Sequence, residues 1–223
     1  MIIAIDGPAA SGKSTTARAL ARHLGLVYLD TGAMYRALAL ATLRSEADQF
    51  DAAVADALAS SEIAISHTAD GEMRIKLNGE DVTEQIRQSE VGTMASRISA
   101  RADVRRKMVA LQRSIGRSKE EGIVLDGRDI GTVVFPDADI KVYLTADAEE
   151  RARRRRNELA QQGEDVPFEN VLRELNERDK ADRERDVAPL KRASDAVTIN
   201  TTELTIEEQV EAIAALVRAH TTA

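Results

Sequence analysis

An unbroken apolar run, Met1-Ile2-Ile3-Ala4-Ile5, opens the chain and stops at Asp6. It is too short for a helix and rich in β-branched side chains, which predicts a strand buried on both faces. From Lys13 to Leu24 the period changes: Ala17, Leu20, Ala21 and Leu24 recur at i, i+3, i+4 and i+7, an amphipathic helix that Gly25 is placed to close. Val27-Tyr28-Leu29 returns to a short strand. Strand, helix and strand in that order form a β-α-β unit, whose right-handed crossover makes the strands parallel. Asp30-Thr31-Gly32 breaks the second strand, and helical spacing resumes over Ala33 to Leu43 and over Asp51 to Ser60.

Between Glu62 and Val82 the period drops to two. Ile63, Ile65, Met73, Ile75 and Leu77 alternate with polar residues, and Asp70-Gly71 and Asn78-Gly79 are turn signals, so a small antiparallel hairpin or three-stranded sheet is inserted here. Helical patterning returns over Thr83 to Arg97 and Arg101 to Lys119. Gly122 to Leu125, Ile140 to Leu144 and Ala196 to Ile199 supply three more buried-strand candidates, and a last helix runs over Thr205 to Ala219. Five strands separated by helices predict an α/β fold, a doubly wound, mainly parallel sheet covered on both faces. Before the fifth strand, Ala148 to Arg192 is dense in charge. The run Arg151-Ala152-Arg153-Arg154-Arg155-Arg156 continues a helix, Gln161 to Asp165 reads as a loop tip, and a second helix extends through Arg178.

The connection after the first strand carries the clearest chemistry. Gly7-Pro8-Ala9-Ala10-Ser11-Gly12-Lys13-Ser14-Thr15 is a complete G-x-x-x-x-G-K-[ST] phosphate-binding loop between a strand and a helix. The glycines let the backbone N–H groups turn inward, and the helix N-terminus adds positive potential. Polyphosphate is the expected guest, with Lys13 reaching the β- and γ-phosphates and the Ser14 hydroxyl a ligand of Mg²⁺. The spacing leaves open whether Asp126 adds a water-mediated contact.

Composition narrows the partners. The 223 residues suit one domain with insertions, and no apolar run approaches the roughly 20 residues of a membrane span. The first apolar run is too short and lacks the basic start of a secretory signal, so a cytoplasmic protein is expected. The absence of cysteine excludes disulfides and thiolate metal sites. A net charge of -7 argues against nucleic-acid or membrane-surface partners. Only seven of the 31 basic residues are lysine, and arginine is the better bidentate partner for phosphate oxygens. Nothing demands a partner chain, and a monomer is expected.

A phosphate loop implies a nucleotide but not a reaction. A GTPase-type switch needs an Asn-Lys-x-Asp segment, which is absent, and a motor or ATPase subunit needs a coupling domain. A small kinase needs only an acceptor pocket and a means of excluding water. Acceptor candidates cluster at Asp30 to Arg36, Ser96 to Arg105, Asp126 to Asp129 and Arg178 to Arg185, and the first and third follow strand ends, where ligands gather in open α/β sheets. A charge run such as Arg151 to Arg156 is usually a solvated helix face, but an Arg-bearing hairpin over a nucleotide is a recurrent device of phosphoryl transfer.

Several longer motifs together resemble the bacterial cytidylate kinases, within the nucleoside monophosphate kinases. These are IDGPAASGKST, LDTGAMYR ending at Arg36, NGEDVTEQIR in the β-rich insert, DGRDIGTVVFPDA from Asp126 to Ala138, ERAxRR from Glu150 to Arg155, and ERDxxDxxRxVAPL from Glu177 to Leu190. Thr31 stands where many relatives carry serine and keeps the hydroxyl. The resemblance implies ATP-dependent phosphorylation of CMP and dCMP to CDP and dCDP in pyrimidine nucleotide metabolism, by direct transfer with Mg²⁺ accompanying ATP. Carried over by residue, it places Thr31, Ser96, Arg105 and Asp129 near the cytosine and Arg178 and Asp182 near the sugar. Arg36, Arg128 and Arg185 become acceptor-site cations, and Arg151, Arg154 and Arg155 belong to the lid. Catalysis would then rest on Lys13, Arg128, Arg178 and the three lid arginines. The implied organisation is a single kinase domain with a core (about 1–30, 120–146 and 190–223), an acceptor-binding subdomain (about 31–119, insert 62–82) and a lid (about 148–178).

Elementary chemistry agrees with that reading. Cytosine offers an amine donor beside ring-nitrogen and carbonyl acceptors, so a carboxylate with a guanidinium reads it, and Asp129 with Arg105 is the candidate pair. Uracil would turn a carbonyl oxygen toward the carboxylate. The rivals are a related enzyme with UMP, AMP or a small hydroxyl compound as acceptor, and a nucleotide-binding module without turnover.

Overall fold

The computed structural model describes residues 1–161 and 163–221. In chain order, β1 (Ile2–Asp6) leads through the phosphate loop into α1 (Lys13–Leu24), and β2 (Val27–Asp30) is followed by α2 (Thr31–Arg44) and α3 (Phe50–Ser60). Next come β3 (Ile63–His67), β4 (Met73–Leu77), β5 (Glu80–Asp81), α4 (Ser89–Ile98), α5 (Ala102–Arg117) and β6 (Ile123–Gly127). The order ends with β7 (Ile140–Thr145), α6 (Ala148–Gln161), α7 (Phe168–Glu184), β8 (Val197–Asn200) and α8 (Ile206–Thr221). The chain forms two compact units, one of Met1–Val27 with Glu121–Ala223 and one of Tyr28–Glu120. Among the described residues, no helix is long and apolar enough to cross a membrane.

All five expected strands form one sheet in the order β2-β6-β1-β7-β8, flanked by helices; the boundary between the units falls within β2. β1 runs parallel to β6 on one side and β7 on the other, with Ile3 opposite both Val124 and Ile140. Buried on both faces, β1 and β6 read as continuous apolar runs, as a central parallel strand requires. Asp6 is level with Gly127 and with Tyr143, so the loops after β1, β6 and β7 leave the same carboxyl edge. That edge is where an open α/β sheet gathers its ligands. α8 buries Val210, Ile213, Ala214 and Val217 together with Gln209, whose Oε1 accepts a hydrogen bond from Thr16 Oγ1 of α1 at 2.5 Å.

The second unit holds the β-rich insert as a three-stranded antiparallel sheet, β3-β4-β5, with Ile65 opposite Ile75. Thr83 to Arg97 is not one helix. A 3-10 turn at Gln85–Arg87 is followed by Gln88 at ψ 143, which restarts the chain as α4. Ile86 and Val91 are both buried, and on an uninterrupted helix residues five apart point about 140° away from each other, so the break turns both inward. One further element had no periodic signal: a π-helical turn at Ile130–Val134, in which Val134 N–H donates to the Asp129 carbonyl at 3.1 Å and Phe135 N–H to that of Ile130 at 2.7 Å. Of the expected loop tip Gln161 to Asp165, Gln162 lies outside the described residues.

Candidate functional site

The phosphate loop occupies the centre of the sheet's carboxyl edge because β1 is the central strand. At Gly7 a Cβ would stand 2.0 Å from the Leu144 carbonyl oxygen, so only glycine lets the loop leave β1 beside β7. Gly12 caps α1 at φ 88 in the left-handed region, turning the first N–H groups of the helix toward the loop. Lys13 is buried, and its Nζ donates to the Pro8 carbonyl at 2.5 Å and to Ser11 Oγ at 3.4 Å, across the space the loop encloses. Burial pushes its pKa down to about 7, helped by Arg128 and opposed by Asp126, Asp6 and Asp182. Incoming phosphate charge favours the ammonium form. Ser14 Oγ donates to Asp126 Oδ2 at 2.7 Å, which sets two hard oxygen donors side by side at the start of α1. Among the described residues, no three His, Cys, Asp or Glu side chains gather to hold a metal. The Ser14–Asp126 pair offers hard oxygen donors of the kind Mg²⁺ takes.

The residues after β6 and along α7 meet at the same edge. Arg128 Nε donates to Asp182 Oδ2 at 2.8 Å. Burial works against the Arg128 charge, but Asp182 beside it more than compensates and holds the guanidinium above its ordinary range. Burial likewise works against ionised Asp182, and Arg128, Arg178 and Arg185 together keep it below the usual carboxylate range. Arg185 lies 3.8 Å from Asp129 and 3.9 Å from Asp182, with its Nε donating to the Ala188 carbonyl at 2.6 Å. The structure thus brings together Arg128, Asp129, Asp182 and Arg185, with Arg178 close enough to act on Asp182. Asp6, at the end of β1, holds this group from beneath: its two carboxylate oxygens accept the N–H groups of Ile130 and Gly131, each at 2.8 Å. Burial raises its pKa to about 6 and Asp129 adds to the rise, against the two N–H donors and Lys13.

The arginine run on α6 splits by face. Arg151 is buried, with NH1 donating to Asp179 Oδ2 at 2.6 Å and to the Ala9 carbonyl at 3.2 Å. Arg154 also turns toward the loop, donating to Glu150 Oε1 at 3.0 Å and to the Thr201 carbonyl at 2.6 Å, while Thr201 Oγ1 donates to the Ser11 carbonyl at 3.0 Å. Arg155 pairs along the helix with Glu158 at 3.3 Å, and Arg153 and Arg156 are exposed. α6 and α7 close around Ala152, Leu159, Val171 and Leu175, and Ala9 of the loop belongs to the same apolar cluster.

The remaining candidates stand in the second unit. Asp30 caps α2 by accepting the Ala33 N–H at 2.9 Å and accepts a hydrogen bond from Arg36 NH2 at 2.7 Å, with buried Thr31 opening the helix. A Cβ at Gly32 would lie 3.0 Å from the Asp30 carboxylate and 3.1 Å from the Arg36 guanidinium, so the glycine leaves room for the pair. Ser96 and Arg105 both meet the α4–α5 turn at Ser99: Ser99 Oγ donates to the Ser96 carbonyl at 2.8 Å, and Arg105 NH1 donates to the Ser99 carbonyl at 3.5 Å. Arg105 is buried above the Tyr35 ring, 5.8 Å from its centroid. Reasoning from the sequence did not single out Asp6, Asp179, Thr201 or Gln209. Asp179 carries a signal in retrospect, as the third residue of the ERDxxDxxRxVAPL run.

The cytidylate kinase family model matches residues 3–219. A cytidylate kinase of Salinibacter ruber is 50% identical over 98% of this chain and 97% of its own length. Cytidylate kinases of Citrifermentans bemidjiense and Bacillus velezensis are each 47% identical, over 98% and 92% of this chain and 93% and 91% of their own lengths. Among solved structures, an uncharacterized protein from Eubacterium ventriosum superposes with a TM-score of 0.50 at 13% identity, covering 98% of this chain and 99% of its own, a likeness of fold alone.

Proposed function

The chain belongs to the cytidylate kinase family, and on that premise we propose that it transfers the γ-phosphoryl group of ATP to CMP and dCMP, giving ADP and CDP or dCDP. One observation carries the proposal: the phosphate loop leaves β1 and Arg128 follows β6 at the same carboxyl edge, with Asp6 level with Gly127 and Ser14 Oγ donating to Asp126 Oδ2 at 2.7 Å. Lys13 and Arg128 so placed offer adjoining berths for two phosphates, which direct transfer requires and simple nucleotide binding does not.

The acceptor is a phosphate oxygen of CMP, already anionic, so no general base is needed. That oxygen forms its bond to the γ-phosphorus as the bridging bond to ADP breaks, and the ADP oxygen keeps the electron pair. Lys13 and the N–H groups of the loop hold the β- and γ-phosphates. Arg128 and Arg185 hold the acceptor phosphate, and Arg178 with Asp182 holds the sugar side. Ser14, beside Asp126, would hold Mg²⁺, which would supply further neutralisation of phosphate charge. Asp129, with Thr31, Ser96 and Arg105, reads the cytosine, and Arg36 adds a cation on the acceptor side. Residues 148–178 serve as the lid, bringing Arg151, Arg154 and Arg155 to the triphosphate and excluding water, while 31–119 serve the acceptor. The reaction needs no nucleic acid, membrane or second chain, and corresponds to a monomer working on pyrimidine nucleotides in the cytoplasm.

ADP formation from ATP with CMP, dCMP, UMP, AMP or no acceptor tests this directly. CMP and dCMP are expected to support turnover far above UMP and AMP. Fastest turnover with another acceptor, or ADP release that ignores the acceptor, would overturn it.

A further inference from the structure

Asp179 belongs to the ERDxxDxxRxVAPL run but has no part in the transfer described above. Its side chain is 3% exposed and faces that of Arg151, 6% exposed, at 2.6 Å. Its other oxygen, Oδ1, accepts the backbone N–H of Ala9 at 3.4 Å, while Arg151 NH1 donates to the carbonyl of the same Ala9 at 3.2 Å. Arg151 Nε is itself fixed by the Ala146 carbonyl at 3.1 Å, just after β7. One residue of the phosphate loop therefore has both backbone polar groups taken by a buried ion pair drawn from α6 and α7. The next residue, Ala10, stands at φ 56 in the left-handed region. For a non-glycine residue that conformation is costly and persists only where its surroundings impose it. A buried ion pair is weak evidence for net stability, since an apolar pair of similar volume often does as well, so its value here is geometric.

We propose that Asp179 is a positioning residue for the phosphoryl donor: it aligns Arg151, and the pair fixes the Ala9–Ala10 segment that shapes the phosphate cradle. This rests on the assignment of the loop as the ATP site. It also makes the shape of the loop depend on the α6–α7 hairpin, because both members of the clamp lie on that hairpin.

The test compares Asp179→Asn, Arg151→Lys and, as a stability control, Ile213→Ala in the apolar face of α8, at a temperature where each is folded. Arg151→Lys keeps a charge beside Asp179 but lacks the planar fork that serves Asp179, Ala9 and Ala146 together. The readouts are KM for ATP and for CMP, and the equilibrium Kd for ATP without acceptor. Asp179→Asn is expected to raise KM and Kd for ATP about tenfold and to leave KM for CMP within about twofold, with Arg151→Lys moving the same way. Ile213→Ala is expected to lower Tm while KM for ATP stays within about twofold. Unchanged ATP affinity in both clamp variants, a parallel rise for ATP and CMP, or an equal ATP effect in the control would overturn the assignment. Where Asp179→Asn fails to fold, Asp179→Glu, which keeps the charge beside Arg151 but displaces the carboxylate from the Ala9 N–H, carries both outcomes, because Arg151 is itself placed at the triphosphate. If the wild type binds ATP yet transfers nothing to CMP, the proposed reaction fails while the ATP Kd still reads the clamp.

Discussion

Lys13 has its ammonium in the phosphate loop, with Arg128, Asp126, Asp6 and Asp182 as its charged neighbours. Lys13→Ala is expected to lower kcat by at least about 100-fold, the scale of losing one preorganised electrostatic contact to a transition state, as checked by ADP formation at saturating CMP. Near-normal turnover would remove the loop mechanism. The proposal gives the other decision to Asp129, because a carboxylate accepts from the cytosine amine and would meet an oxygen in uracil. Asp129→Ala is expected to cut the CMP-over-UMP ratio of kcat/KM by about 10- to 100-fold, and an unchanged ratio would show that the base is read elsewhere. Asp6 links the site to acid stability. With its pKa raised from 3.8 to about 6, the folded protein binds more protons than the unfolded chain between these values. This stabilising contribution is therefore full below about pH 4 and lost as pH rises through 6, on the order of 2–3 kcal/mol. Urea unfolding of Asp6→Asn across pH 4 to 6 should lack that component of the slope, whereas a slope equal to the wild type's would place it on another group.

At the scale of elements, the loop depends on how closely β1 and β7 approach each other. Gly7→Ala would bring a Cβ to 2.0 Å from the Leu144 carbonyl, so either the loop or the end of β7 must shift. The expected outcome is a lower Tm together with an ATP Kd raised by about tenfold or more, measured by calorimetry; a silent substitution would mean that the strand end yields freely. The strands and most helices were legible because each is a local pattern: buried runs for the sheet, a period of two for β3 and β4, and the 3.6 period for α1 and α8. Two features were not. The break at Gln88 follows from tertiary demands on Ile86 and Val91, and the π turn at Ile130–Val134 follows from Asp6, which lies far off in sequence and holds two of the turn's N–H groups. Neither leaves a periodic trace.

Across the whole molecule, the chain carries a net charge of -7, yet buried Lys13 and partly buried Arg128 stand at the carboxyl edge of its main sheet. That contrast separates small anionic ligands from polyanions: a basic face is absent from the bulk charge, while Lys13 and Arg128 stand at one sheet edge. Contiguous parts of the site could be read in advance, namely Gly7 to Thr15 and Arg128-Asp129, since a motif or a strand end declares them. Pairings over long separations could not. Arg151 meets Asp179 across 28 residues and Thr16 meets Gln209 across 193, and only the fold brings those partners together. The central claim is direct, water-excluding transfer between two nucleotides, and ³¹P NMR of ATP and CMP with the enzyme follows every phosphorus at once. ADP and CDP should appear one for one as ATP and CMP disappear, with no inorganic phosphate. Inorganic phosphate accumulating in place of CDP would contradict it.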